Sequence, residues 1–167
     1  MGVPDATDAP GTQNNPADPD ISGEDTVGDA EVSVAGIESV IDLAAFADEV
    51  FRLTNMERAK EGLLPLTPTA ELVNTAELRA KEIIQLFSHD RPNGSAFNTA
   101  FDENGAPYRL AGENLGKGQK TPAEIVAGWM NSSGHRTVIL NSGYTHLGVG
   151  VAIDANGTLY WAQSFTD

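Results

Sequence analysis

The sequence predicts an α+β fold in which helices cover an antiparallel sheet. Apolar residues recur at three- and four-residue spacing in the middle of the chain, which is typical of amphipathic helices. Near the end, two strand-like apolar runs flank Asn156-Gly157, a strong signal for a β-hairpin. Helices that precede the hairpin, rather than alternating with strands, favour α+β over a parallel sheet.

The acidity of the chain lies in its first segment. The 167 residues carry a net charge of −14, but residues 1–49 hold twelve acidic residues and no basic one, which leaves −2 for residues 50–167. A nucleic-acid surface requires clustered positive charge, so we expect no such partner. The Pro-, Gly- and Asp-rich composition predicts that residues 1–37 are a disordered leader or linker and 38–167 the domain.

One stretch of this leader, residues 18–29, has the ligand order of a calcium loop. The matching residues are Asp18, Asp20, Ser22, Gly23 and Asp29. Against that interpretation, Asp25 stands where such loops have an apolar anchor, and the last ligand is Asp rather than Glu. We therefore interpret the stretch as solvated acidic linker.

Cysteine is absent, which excludes disulfides and thiolate zinc sites. No run approaches the ~18 apolar residues of a membrane helix. The start, "MGVPDATDAP", has no apolar signal region, so we expect the signal peptide of an exported protein to lie outside this sequence.

Two long helices are predicted first. The first ends near Gly62 and has an apolar face of Leu43, Phe46, Val50 and Leu53. The second ends at residues 88–94, where Pro92 and Asn93-Gly94 force a turn. Its apolar face consists of Leu72, Val73, Ala76, Ala80, Ile83, Ile84 and Phe87.

The remaining elements are shorter. Residues 95–107 predict an irregular loop, and 108–116 a short strand or turn. Thr121, Pro122 and Glu124 form a capping box that starts a helix running to about Ser132. In the first hairpin strand, one face is apolar and the other is nearly bare, so we expect a bulky neighbour against the bare face. The bare face consists of Gly148, Gly150 and Ala152.

Three residues are out of keeping with plain packing. His89 follows the second helix, Glu113 interrupts an apolar strand-like run, and His135 follows Gly134, which we interpret as a left-handed helix stop. Two imidazoles and a carboxylate suffice for a divalent transition metal, or for acid–base chemistry near neutral pH. Their separations in sequence do not show that they meet.

Each of these residues also has an ordinary structural explanation, which the residue types alone favour. His89 would cap its helix, and His135 would bind a carbonyl left open by the preceding helix. Glu113 would pair with Arg109 or Arg91 at the surface. His146, in the polar run "NSGYTHLG", is expected to be solvated and without a role.

Five motifs, in order, resemble a bacterial member of the CAP superfamily, the cysteine-rich secretory, antigen-five and pathogenesis-related group. They are "TNMERAKEGLLPL", "FSHDRPNG", "GENLGKG", "TPAEIVAGWMNSSGHRTVILNSGYTHLGVGV" and "YWAQSF", and the resemblance covers residues 45–166. The resemblance implies a three-layer α–β–α sandwich with a central antiparallel sheet, one groove, and an extracellular location.

In that family two His and two acidic residues line the groove. By motif, His89 and His135 match the two His, and Glu113 matches the Glu of Gly-Glu-Asn. The second acid, three residues after a Trp, is replaced here by Ser132, three residues after Trp129. Ser is a poor metal ligand, and its presence removes one carboxylate from any acid–base pair.

We expect a secreted or surface-tethered, monomeric domain whose groove binds a small ligand, a cell-surface protein, or a divalent cation such as zinc held by His89 and His135. The alternative is a hydrolase that uses a metal, or Ser132 as nucleophile, His135 as base and Glu113 to orient it. No Gly-x-Ser-x-Gly elbow surrounds Ser132, which weakens the enzyme hypothesis. A third hypothesis is a structural or adhesive module with a vestigial groove.

Overall fold

The computed structural model describes residues 41–167. The predicted leader and the calcium-loop stretch lie outside these residues. The helices are α1 (Leu43–Lys60), α2 (Ala70–Gln85), α3 (Thr99–Glu103), α4 (Pro122–Asn131) and α5 (Ser133–Ile139). The strands are β1 (Ala111–Lys117), β2 (His146–Ile153) and β3 (Leu159–Thr166). None of the helices in this part of the chain is long and apolar enough to cross a membrane.

The strands form one antiparallel sheet in the order β1-β3-β2. The central strand β3 is buried along its whole length, so side chains from both faces of the sheet enter a core. The predicted hairpin joins β2 to β3, and Gly157 adopts a φ of 80° in its turn, where a side chain would be strained.

Helices cover both faces of the sheet. On one face α2 packs against the sheet through Ala80 and Ile83. On the other face α1, α4 and α5 build the larger apolar core, which contains Val50, Ile125, Val126, Trp129, Ile139, Leu147, Val149, Trp161 and Phe165. The predicted α+β class and three-layer sandwich are confirmed.

The bare face of β2 lies directly against the backbone of α2. A Cβ on Gly148 would overlap the main-chain carbonyl of Leu72, and a Cβ on Gly150 would overlap that of Ala76. The expected bulky neighbour is therefore a helix backbone. These glycines set the distance between the α2 layer and the sheet.

Arg58 of α1 is buried and fastens α1 to the segment that joins α5 to β2. Its Nη1 donates to the carbonyls of Ile139 (2.7 Å) and Asn141 (2.9 Å), and its Nη2 donates to that of Tyr144 (3.4 Å). Burial lowers the pKa of Arg58 from its ordinary value. Carbonyl dipoles from a distant segment thus solvate this cation.

Three local predictions were wrong. Residues 95–107 are not wholly irregular, because α3 forms within them. Phe87 is not on the apolar face of α2, because the helix ends at Gln85 and Leu86 is extended. Gly134 is not a left-handed stop: the helix breaks at Ser132, which is extended (φ −96°, ψ 123°), and Gly134 lies inside α5.

We expect Gly148→Ala to destabilise the domain by about 1–3 kcal/mol, because its Cβ must displace the α2 backbone. The matched control is Gly128→Ala in α4, where a Cβ meets nothing within 4 Å. That change should stabilise the helix by up to ~1 kcal/mol. Equal denaturant midpoints for both variants and the wild type would contradict the close approach.

Candidate functional site

Glu113, in the edge strand β1, is the centre of the candidate site. Its carboxylate is buried, with only 1% of the side chain exposed. Arg79 of α2 donates from Nε to Oε2 (2.6 Å) and from Nη2 to Oε1 (3.2 Å), and His89 Nδ1 lies 2.9 Å from the same Oε1. The structure therefore brings two of the predicted residues, Glu113 and His89, into hydrogen-bond contact. A buried ion pair with Arg79 holds the Glu113 carboxylate in place.

Arg79 also holds the segment that carries His89. Its Nη2 donates to the carbonyl of Ser88 (2.9 Å) and, at 3.4 Å, to that of His89. One guanidinium thus fixes both the carboxylate that binds the imidazole and the backbone from which the imidazole extends. Burial would lower the pKa of Arg79, but its bonds to Glu113 and Glu82 outweigh this and raise the pKa.

Alternating charges continue from Arg79 towards the surface. Arg79 Nη1 donates to Glu82 (2.6 Å), and Arg91 Nη2 donates to both Glu82 (2.6 Å) and Glu103 (2.7 Å). Burial would raise the pKa of Glu82, but bonds from the two arginines outweigh it and lower the pKa. The second helix, the His89 loop and α3 are tied together by this network.

The hydrogen bond to Glu113 sets the tautomer of His89. A carboxylate only accepts, so we assign the proton to Nδ1 of the His89 ring. In the neutral ring Nε2 is then left as an acceptor. Half of the His89 side chain is exposed (51%), so it remains accessible to a ligand. The ring also packs edge-on against Phe97.

His135 lies on α5, on the other side of β1 from α2. Burial lowers the pKa of His135 from its ordinary value, and the charge of His89 lowers it further. His135 is therefore neutral near pH 7. Asn114, next to Glu113 in β1, donates to the main-chain carbonyl of His135 (3.2 Å).

A buried polar chain supports this second wall of the site. Asn114 Nδ2 donates to Gln163 Oε1 (3.1 Å), and Gln163 Nε2 donates to Thr54 (2.8 Å) of α1. All three side chains are fully buried. These hydrogen bonds connect β1, β3 and α1 behind the site, and Asn114 links them to the backbone of α5.

Ser132, His135 and Glu113 are not arranged as the predicted catalytic triad requires. Ser132 occupies the N-cap position of α5, but its side chain makes no capping hydrogen bond. Glu113 binds His89 and Arg79 rather than His135. The triad requires Glu113 to orient His135, but Glu113 orients His89 instead.

The surface explanation of Glu113 was also wrong. Arg109 is 94% exposed and pairs with Asp167, while Arg91 pairs with Glu82 and Glu103. His89 does not simply cap its helix, because its ring binds Glu113. His146 is half-buried at the start of β2, where its ring contacts Thr145.

Sequence reasoning missed Arg79 and Arg58. Each occupies a position where the helical spacing calls for an apolar residue: Arg79 lies seven residues after Leu72, and Arg58 eight after Val50. An arginine in the apolar face of an amphipathic helix indicates a buried charge that requires a partner. That signal was present in the sequence.

The residues present do not fit a resident zinc ion. Both oxygens of Glu113 are engaged by Arg79 and His89, and Ser132 replaces the second acid, so neither carboxylate of the family's groove is available as a ligand. Within residues 41–167 no three His, Cys, Asp or Glu side chains cluster as metal ligands would. Two imidazoles remain, fewer than the three protein ligands of a catalytic zinc site.

A comparison with protein-family models decides the family. The model of the cysteine-rich secretory protein family, CAP, matches residues 51–165, which is more than half of the 167-residue chain. The chain belongs to the CAP family. Its Glu113, His89 and His135 lie within the matched region of the CAP domain.

The CAP domain is similar to three bacterial proteins. The uncharacterized protein YkwD of Bacillus subtilis strain 168 is 42% identical over 126 residues, which cover 74% of this chain and 48% of that protein. An extracellular protein containing an SCP domain from Bacillus anthracis has a TM-score of 0.70 and 26% identity, over 83% of this chain and 45% of that chain. A cysteine-rich secretory protein from Staphylococcus aureus has a TM-score of 0.63 and 26% identity, with coverages of 75% and 40%. The chain thus spans less than half the length of each.

We expect Arg79→Met to cost about 3–5 kcal/mol of unfolding free energy, because it leaves the buried Glu113 carboxylate without a partner. The double variant Arg79→Met, Glu113→Gln should recover part of the loss. Arg136→Met, which breaks an exposed pair with Glu61, serves as control and should cost less than ~1 kcal/mol. Chemical denaturation measures the unfolding free energy of all three variants. If Arg79→Met cost no more than Arg136→Met, the buried ion pair between Arg79 and Glu113 would be refuted.

The lowered pKa of His135 has a defined effect on stability. As pH falls, the unfolded chain binds this proton first, near its ordinary pKa of about 6.5. The contribution of His135 is therefore complete above that pH and is lost as pH falls towards the folded-state pKa.

In His89→Gln we expect the pKa of His135 to rise, because a neighbouring positive charge is removed, yet to stay below its ordinary value because the ring is still buried. Histidine-ring NMR signals followed from pH 4 to 8 measure this shift. His146→Gln is the control and should leave the titration of His135 unchanged. An unchanged curve in His89→Gln would show that the rings do not interact.

Proposed function

We propose that residues 38–167 form an extracellular, monomeric CAP domain that reversibly binds a small polar ligand between His89 and His135, and that residues 1–37 link it to an envelope or a larger protein. An extracellular location is supported by the similarity to the extracellular SCP-domain protein and the secretory protein. The acidic, Pro- and Gly-rich composition of the leader supports its role as a linker.

The Glu113–His89 bond carries the proposal for binding. When the His89 ring is neutral, this bond leaves Nε2 as an acceptor at a half-exposed ring. The neutral ring of His135 has one donor and one acceptor nitrogen. A ligand that offers hydrogen-bond donors, and at least one acceptor, satisfies both rings.

Reversible binding is favoured over hydrolysis by the charges at the site. Arg79 pairs with the Glu113 carboxylate, so this acid is not free to act as a base. Ser132 lacks the His–carboxylate partner that activates a nucleophile, since Glu113 binds the other histidine. A zinc ion bound by His89 and His135 would be held only weakly, because the site provides no third strong ligand.

A ligand screen tests this function. Zinc chloride alone and a panel of neutral fragments with amide or hydroxyl groups would be titrated while the histidine-ring NMR signals are followed. We expect amide or hydroxyl fragments to shift His89 and His135 together and to leave His146 unchanged. Their affinity should fall at least tenfold in the double variant His89→Gln, His135→Gln.

The screen also has outcomes against the proposal. Fragments that bind the double variant as well as the wild type would place their site elsewhere. Conversion of an ester or amide fragment to its hydrolysis products, lost in His135→Gln, would favour the hydrolase instead. His146→Gln is the matched control in each case.

A further inference from the structure

The main-chain groups of β1 alternate between its neighbour β3 and the open edge of the sheet. The amide of Asp167 donates to the carbonyl of Leu110, and the amide of Gly118 donates to the carbonyl of Leu159. In the observed register, even-numbered residues of β1 therefore exchange hydrogen bonds with β3. The N–H and C=O groups of the odd-numbered residues, Glu113 among them, face away from β3.

Two residues further along β1, the outward-facing carbonyl of Leu115 already accepts a hydrogen bond. The Trp129 indole donates to the carbonyl of Leu115 (2.9 Å), which confirms that odd-numbered carbonyls point outward. Within residues 41–167 no corresponding hydrogen bond reaches the main-chain N–H or C=O of Glu113. The open part of the edge is thus short and centred on Glu113.

The backbone of Glu113 is also in contact with solvent. The residue as a whole is 6% exposed, whereas its side chain is only 1% exposed. The exposed area therefore belongs mainly to the main chain. A donor and an acceptor of the sheet edge lie at the floor of the site, with its carboxylate buried behind them.

Side chains near the open edge could contact the side chains of a bound ligand. His89 is bonded to the Glu113 side chain, and His135 lies on the helix whose backbone Asn114 holds. The segment that leads to His89 exposes two large apolar side chains, Leu86 (44%) and Phe87 (51%). The imidazole of His89 therefore accompanies the open main-chain groups, and the segment that leads to it exposes apolar surface at Leu86 and Phe87.

The geometry points to an extended peptide as the ligand of this groove. One peptide residue would exchange both of its main-chain hydrogen bonds with Glu113, as an added strand does at a sheet edge. A neighbouring apolar side chain of the peptide would contact Leu86 and Phe87. This inference rests on the proposed function, because it names the ligand class of the same groove.

The chemistry of the edge selects this ligand class. A peptide supplies an N–H and a C=O at the spacing of the strand, which a sugar or a metal ion does not. Unpaired edge groups are templates for pairing with another chain. Because Trp129 occupies the carbonyl of Leu115, pairing is confined to two or three peptide residues, which predicts weak, short-peptide binding.

The test uses blocked pentapeptides of the form acetyl-Ala-Ala-Xaa-Ala-Ala-amide, with Xaa as Leu, Phe, Lys or Glu, and the full 167-residue chain. We expect the Leu and Phe peptides to bind, to slow exchange of the Glu113 amide hydrogen at least tenfold, and to shift both histidine rings. N-methylation at the paired peptide residue should weaken binding at least tenfold, while N-methylation of the next residue should not.

Protein variants test the apolar surface at Leu86 and Phe87. Phe87→Ser should weaken the Leu and Phe peptides severalfold and leave the Lys peptide unchanged. Leu64→Ser, at another exposed leucine (83%), is the matched control and should change neither.

Two outcomes would overturn the inference. If peptides shift the histidine rings without protecting the Glu113 amide, the groove binds ligand but not by strand pairing, and the proposed function survives. If no peptide perturbs the site at about 10 mM, peptide recognition is refuted. The proposed function is tested independently by the amide and hydroxyl fragments, whose binding must depend on His89 and His135.

Discussion

The ion pair between Arg79 and Glu113 is the contact on which the candidate site depends. Burying a carboxylate costs several kcal/mol unless a cation and further hydrogen bonds compensate, and Arg79 provides the cation. The same guanidinium binds the backbone at Ser88 and His89, so it positions the imidazole as well as the acid. The negative charge at the centre of the site is therefore already neutralised from within the protein.

That neutralisation explains the character of the site. A free carboxylate beside two imidazoles would serve a metal ion or acid–base chemistry, but a carboxylate paired with arginine serves to orient His89. Ser132 in place of the second acid has the same effect, because no further negative charge faces the groove from that position. The groups that accompany the paired carboxylate are two imidazole rings and the main-chain N–H and C=O of a strand edge.

Much of this arrangement was predictable from the sequence, because it follows from local patterns. Apolar spacing located α1 and α2, Asn156-Gly157 located the hairpin, and the glycines of β2 indicated a close neighbour. The motif resemblance selected His89, Glu113 and His135. The partners were not predictable in the same way: Arg79 and Glu113 are 34 residues apart, and only the packing of α2 on the sheet brings them together. The restart of the helix at Ser132 likewise depends on packing, since Gly134 alone favours a stop.

The hydrogen bonds of Arg58 affect how α5 unfolds locally. A seven-residue helix such as α5 is too short to be stable alone, and its ordinary mode of failure would be fraying. Here Ile139, the last residue of α5, and Asn141 and Tyr144, which follow it, are bound to a single buried cation on α1. Releasing α5 would deprive that buried cation of carbonyl partners, so we expect the segment that carries His135 to unfold together with α1. We therefore expect α5 to fray rarely, which limits the access of proteases to the segment that carries His135.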